Sequence, residues 1–466
     1  MSTTSRSGGG GTSTGRVFQR VPGGDLPVAV RAEGSTIWDA DGRSYLDAAG
    51  GAIVVNVGHG RQSVVDAMER QARAFTHVHG TTFINEPLET YARAVGPHLP
   101  VDDPAIYPVS GGSEAMESCL KLVRSYHLAR REPDRTVVIA RWGSYHGNSL
   151  GALDLSGREP LRRPYEPWLG RFSHVSAAYP YRAGEAAAHA LGDADQLTAE
   201  LEAAIAEAGP GRVAAFVAEP IVGATLGAVS PPDGYWPEVA EVCRRHGILL
   251  VADEVMTGFG RTGRWFGLDH WGVRADVMAA AKGVAGGYFP LGLAVASGAV
   301  YETITRPGGR RAVASGFVHG FTYSHSPVGA AVAGEVLRIL ETEKLVEASA
   351  AKGERLKALL ADQLGGHPNV GEIRGRGLLV GLELVADRAT RRPFPRAAKL
   401  IERVMAHARA DGLLLYHGTG NADGTNGETV LLGPPFVITD GELVRLADTL
   451  AVAVDRAATQ ASSRLS

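Results

Sequence analysis

Apolar positions along the chain fall into two kinds of spacing. Four short runs, Ala105–Ser110 (AIYPVS), Thr136–Ala140 (TVVIA), Val213–Ala218 (VAAFVA) and Ile248–Ala252 (ILLVA), are continuous and mostly apolar. Such runs fit strands covered on both faces, as in a parallel sheet. Between the last two, Trp236–His246 (WPEVAEVCRRH) has helical spacing and is closed by Gly247, a natural stop. That makes a βαβ unit, and the repeated alternation predicts an α/β fold. After residue 335 the elements lengthen: helix over Glu335–Leu364, strand at Leu378–Leu384, helix at Ala397–Ala410, strand at Thr429–Leu432, and an amphipathic helix over Asp440–Ala458. Near the start, Thr36–Leu46 predicts a hairpin around Asp41-Gly42. The expected organisation is a flexible tail at 1–24, a segment of a small domain at 25–65, a large domain at 66–334, and the rest of a smaller α+β domain at 335–466.

Composition narrows the function classes. The 466 residues carry 47 Lys+Arg against 50 Asp+Glu, a net charge of −3. Nucleic acid is therefore not an expected partner, and no apolar run is long enough to predict a membrane span. Cys119 and Cys243 form no disulfide framework, which points to a reducing, cytoplasmic setting. Met1–Gly15 is nearly all Ser, Thr and Gly and reads as a flexible tail. Glycine is in excess, 60 of 466, without a collagen period, so it belongs in turns, close packing or ligand-cradling loops.

Three stretches carry candidate chemistry. Ser110-Gly111-Gly112-Ser113 joins an expected strand to an expected helix, a geometry that binds phosphate, although Ser113 could equally be an ordinary N-cap. Asp253 ends the run ILLVA, where open α/β sheets bind ligands. A buried carboxylate there needs a cation, either a protonated ring nitrogen or a neighbouring Arg; Glu254 points the other way by alternation. Lys282, in DVMAAAKG, has small apolar neighbours that would lower its amine pKa and suit Schiff-base chemistry, with snorkelling to solvent as the alternative. Gly258–Gly263 matches GxGxxG, but the aromatic, glycine-broken sequence after it excludes a dinucleotide fold. His77 and His79 lack partners at metal-ligand spacing, so no metal is expected, and they read as packed or substrate-facing groups.

Taken in order, SGGSEAMESCLKLVR (110–124), SYHG (144–147), AEPIVG (218–223), ADEVMTGFGRTG (252–263), AAAKG (279–283) and HGFTYSHSPVGAA (319–331) resemble the class III aminotransferases. RGRGLLVGLEL (374–384) and LLGPPFVIT (431–439) continue the match. The resemblance implies a fold-type I enzyme that uses pyridoxal 5′-phosphate, with a mostly parallel seven-stranded sheet in the large domain. It implies that Lys282 bonds the cofactor and then acts as general base, while Asp253 keeps the pyridine nitrogen protonated. Gly112 and Ser113 would hold the phosphate, Tyr145 and Val255 would flank the ring, and Glu219 would lie near it. Thr322 would reach the phosphate of a neighbouring subunit, which makes the expected unit a homodimer, or a tetramer, with shared sites.

The implied reaction is ping-pong transfer from an amine or amino acid donor to a keto acid acceptor of the pyruvate type. Racemase or epimerase, decarboxylase and aminomutase members of the family use the same lysine and aspartate and are the alternative. Substrate residues are less marked. Ile53 stands where amine:pyruvate members often carry an aromatic residue, and Gly412–Leu415 leads to Tyr416-His417 without the arginine many members place there. Ile53, Tyr416 and His417 are the expected pocket residues, with His417 or Arg141 as carboxylate partner. The Gly- and Asn-rich stretch Thr419–Glu428 is expected to enter the site.

Overall fold

The computed structural model describes residues 16–21, 26–185, 189–305 and 317–465. The expected tail at Met1–Gly15 lies outside them. The continuous apolar runs form the middle of a seven-stranded sheet. Its strands lie in the order Ala105–Val109, Gly292–Ala296, Val277–Ala280, Leu249–Asp253, Val213–Ala218, Val137–Arg141 and Ser173–Val175. Gly292–Ala296 is antiparallel to both neighbours and the other pairings are parallel, so the sheet is mostly parallel, as expected.

Alternation along these strands feeds two cores. Phe216, Leu250, Met278 and Leu293 face one side, where Trp236 and Val239 of helix Tyr235–His246 cover them. Ala215, Val217, Val251 and Ala279 face the other, under Met116, Cys119 and Val123 of helix Gly112–Ala129. Both faces are dry, which explains why the runs do not alternate in sequence. Gly247 closes the first helix in the left-handed region, φ 62°.

Two smaller sheets flank this body. The expected hairpin is present, with Thr36–Asp39 antiparallel to Ser44–Asp47, and Leu413–Leu414 adds to it in parallel from the C-terminal part. The other sheet is antiparallel, in the order Val370–Arg376, Leu379–Leu384, Glu428–Leu432, Tyr416–Thr419.

Several expected elements need correction. The single helix over Glu335–Leu364 is two, Pro327–Thr342 and Leu345–Leu364, broken where Lys344 takes φ 52°. The helix expected from Ala397 starts at Leu400, after a short turn, and the final helix runs on from Asp440 to Leu465. The glycines of the Gly258–Gly263 stretch serve close packing. A Cβ at Gly260 would meet Phe436 and Val346, and one at Gly263 would meet Ala350, so these glycines let the loop pack against helix Leu345–Leu364.

Candidate active site

Strand register assembles the site. Ala252 pairs with Ala218, so Asp253 and Glu219 leave neighbouring strands side by side. Asp253 pairs with Ala279, three residues before Lys282. The parallel strand Ala105–Val109 delivers Ser110–Ser113 to the same carboxyl end of the sheet, where open α/β folds bind ligands. Gly112, Ser113, Tyr145, Glu219, Asp253, Val255 and Lys282 all line one cavity of about 300 Å³. Val54, Met256, Phe289 and Leu291 give it apolar walls.

The carboxylates in it are held. Asp253 is 3% exposed; its Oδ1 accepts from Val255 N–H at 3.1 Å, and its Oδ2 lies 2.7 Å from His146 Nδ1. Glu219 accepts from Tyr145 N–H at 3.0 Å and Gly223 N–H at 3.1 Å. Burial, reinforced by Asp253, raises its pKa. Burial lowers the Lys282 amine, against the pull of Asp253 and Glu219. Glu254 faces away, as alternation predicts. Its carboxylate accepts from Gly267 N–H at 2.8 Å, Leu268 N–H at 2.9 Å and Thr257 Oγ1, and burial pushes its pKa up to about 7.

The helix beginning at Gly112 has no side-chain cap; Gly111 is its N-cap residue. Ser113 is therefore not a cap, and its Oγ accepts from Asn148 N–H at 3.1 Å. A Cβ at position 112 would come within 3.0 Å of Val255 Cγ1, so glycine lets that valine close over the helix start. Uncapped N–H groups, a carboxylate and an enclosed amine in one cavity match the three handles of a phosphorylated pyridine aldehyde: anion, ring nitrogen and carbonyl. The residues present fit that group.

Other expected site residues lie elsewhere. Ile53 does not line the cavity; it is buried with Ile221, Met256 and Leu431, and its neighbour Val54 takes the place. Tyr416 packs partly buried on that cluster, close enough to act on Tyr145, and His417 turns outward on the strand. Neither lines the main cavity. Arg141 is structural: it is buried and donates to the Glu219 carbonyl at 2.5 Å and Tyr235 Oη at 3.4 Å. Thr322 sits on an exposed turn and does not line the cavity of its own chain. His77 and His79 are exposed, with His79 Nδ1 2.6 Å from Thr81 Oγ1. Among the described residues no three His, Cys, Asp or Glu side chains converge on a metal site.

The Gly- and Asn-rich loop does not enter the main cavity. It borders a smaller recess with Gly143, Arg158 and Thr225, and is anchored by Asn421, which donates to Glu383 Oε1 at 2.9 Å and Tyr179 Oη at 3.2 Å. Glu383 also binds Arg182 and Arg374, each at 2.6 Å. Its far end is fixed by Glu428, 3.0 Å from Arg396. Sequence reasoning did not pick out His146: its only signal was its place in SYHG, since its partner lies in a distant strand.

Comparison with known proteins places this fold and cavity among the transaminases. An (S)-enantioselective ω-transaminase from Thermomicrobium roseum superposes with a TM-score of 0.84 at 37% identity, over 93% of each chain. The ω-transaminase of Pseudomonas jessenii, solved in complex with PMP, gives 0.86 at 32% identity over 94% of each chain. The putrescine–pyruvate aminotransferase of Pseudomonas aeruginosa is 37% identical over 90% of this chain and 88% of its own. The family model for class III aminotransferases matches residues 22–454. The chain belongs to the class III aminotransferases, enzymes whose cofactor is pyridoxal 5′-phosphate.

Proposed function

We propose that this enzyme moves an amino group from a primary amine or amino acid donor to a pyruvate-type keto acid by a ping-pong mechanism. The observation that carries the reading is the placement of Lys282, Asp253 and the uncapped start of helix Gly112–Ala129 around one cavity. Pyridoxal 5′-phosphate, when bound, supplies a ring that draws electrons from the carbon beside the amino nitrogen. Lys282 would hold the cofactor through Nζ and then carry a proton at that nitrogen; its lowered pKa keeps the amine basic but uncharged more of the time. Asp253 would face the ring nitrogen, held there by Val255 N–H and His146. Gly112 and Ser113 would bind the phosphate, and Tyr145, Val255 and Glu219 would position and enclose the ring.

The active unit in this reading is a homodimer. Thr322 lies on the same exposed face as Ile84 (86% exposed) and Tyr323 (73% exposed). Asn85 Nδ2 donates to the His325 carbonyl at 3.2 Å, which joins the two segments into one patch. A second copy covering this patch would bring its Thr322 to the neighbouring cavity. Cys119 and Cys243 are buried free thiols, in keeping with a cytoplasmic setting, and among the described residues no helix is long and apolar enough to cross a membrane.

The test is a half-reaction panel. The cofactor-loaded protein is mixed with amines, ω-amino acids and α-amino acids while its visible absorbance is followed. Bleaching by a donor and recovery on adding pyruvate is the expected result. Failure of every donor to bleach the band removes the assignment.

A further inference from the structure

Among the described residues, one half-buried arginine near the cavity has no counter-ion. Arg158 follows Gly157, whose N–H donates to Ser144 Oγ at 3.0 Å and whose carbonyl accepts from Gly143 N–H at 3.1 Å. One residue earlier, Ser156 Oγ accepts from His146 N–H at 2.8 Å. These bonds pin the root of Arg158 against the loop that carries Tyr145 and His146. Its Nε is buried and without a partner, and the guanidinium makes no ion pair among the described residues. The adjacent acid, Glu159, is turned to Arg163 and His189.

Five other arginines with little exposure are committed. Arg141 serves the Glu219 carbonyl, Arg162 pairs with Asp154, Arg182 and Arg374 share Glu383, and Arg261 binds the carbonyls of Val55, Leu378 and Pro434. A guanidinium left unpaired in such surroundings costs free energy that an anion from outside the chain would recover. Arg158 faces the recess that Thr225 also lines, while Ala224, the preceding residue, lines the main cavity. Burial lowers its pKa, and the phenols that act on it are Tyr416 and Tyr145. The uncommitted cation therefore stands in the recess adjoining the cavity, within electrostatic reach of the tyrosine expected over the cofactor ring.

We propose that Arg158 is the substrate-carboxylate anchor, binding the carboxylate of the keto acid acceptor and of amino acid donors at the Tyr145 edge of the cavity. This rests on the aminotransferase reading above. The planar guanidinium can grip a carboxylate through two parallel N–H bonds, whereas an amine donor without a carboxylate makes no demand on it. The chain thereby carries an arginine for the acceptor although Tyr416-His417 holds none.

The test uses the cofactor-loaded enzyme and two variants, Arg158→Gln and Arg158→Lys. Calorimetry measures the Kd of propionate, an unreactive carboxylate, and kinetics measures kcat/KM for pyruvate relative to butanal. Arg158→Gln is expected to raise the propionate Kd and lower the pyruvate-to-butanal preference, each by about 10- to 100-fold. Arg158→Lys is expected to recover part of both. The exposed Arg20 also acts on Tyr145, so Arg20→Ala serves as the comparison and is expected to leave propionate binding unchanged. An unchanged propionate Kd in Arg158→Gln, or a loss found in Arg20→Ala instead, overturns the proposal. Should no amine react with the wild-type enzyme, the aminotransferase reading fails while propionate binding still decides the role of Arg158.

Discussion

His146 Nδ1 lies 2.7 Å from Asp253 Oδ2, joining two strand ends that are 107 residues apart in sequence. Both side chains are buried, and among the described residues the other ring nitrogen of His146 has no partner. With Nδ1 protonated the ring donates to the carboxylate, and Val255 N–H holds the second oxygen. Asp253 is thus oriented from two sides before any ligand arrives.

Removing that support should slow chemistry more than it weakens binding. His146→Ala is expected to lower kcat by about 10- to 100-fold, the usual cost of losing a group that orients a reacting residue, with a smaller change in KM. His146→Asn, whose amide can still donate, should restore part of it. Stopped-flow measurement of the donor half-reaction gives both values. Unchanged kcat in His146→Ala would show that Val255 N–H alone suffices.

Gly147 has φ 130°, and a Cβ there would meet Ser113 Oγ and lie 2.9 Å from Ser113 Cβ. Gly147→Ala must push Ser113 away from Asn148 and disturb the helix start. Cofactor affinity, followed by fluorescence titration of the cofactor-free protein, is expected to fall about tenfold, or ~1.4 kcal/mol. Gly334→Ala, at a position where a Cβ meets nothing within 4 Å, should leave it unchanged. Equal affinity in Gly147→Ala would count against this corner as the phosphate site.

Lys282 predicts a pH dependence with a definite sign. Burial puts its folded-state pKa below the ordinary lysine value of 10.5. Between the two values the unfolded chain binds the extra proton, so the cofactor-free protein gains stability as pH rises through that window. Lys282→Met removes the penalty. The variant should be more stable than wild type at pH 7, and the gap should close as pH approaches 10.5. Urea denaturation across this range measures it; a gap independent of pH would contradict the assignment of cause.

Legibility in the sequence followed how local each determinant is. Val213–Ala218 and Leu249–Asp253 were readable because a strand buried on both faces has no polar position to break the run. Lys282 and Asp253 stood out as charges at the ends of such runs. The break after Thr342 was not readable: Lys344 adopts its left-handed turn without a Gly or Pro to mark it, and the local sequence ETEK is a good helix former. His146 and Arg158 were missed for another reason. What distinguishes them is a partner found, or left missing, in a distant segment, and no local spacing encodes that. Ile53 and Val54 show the smallest version of the problem, since one residue along a tight turn separates core from cavity wall.

The loop from Thr419 to Glu428 borders the recess that Arg158 faces. Asn421 ties one side of it to Glu383, and Glu428 ties the other to Arg396. Between them the turn is self-contained: Asp423 Oδ1 accepts from Thr425 N–H at 2.9 Å and Asn426 N–H at 2.5 Å. Such a turn behaves as an interchangeable cartridge. Its tip can be lengthened, shortened or rewritten while the two anchors and the strand pairing stay as they are. Changes at this tip thus leave the strands that carry the cofactor residues undisturbed.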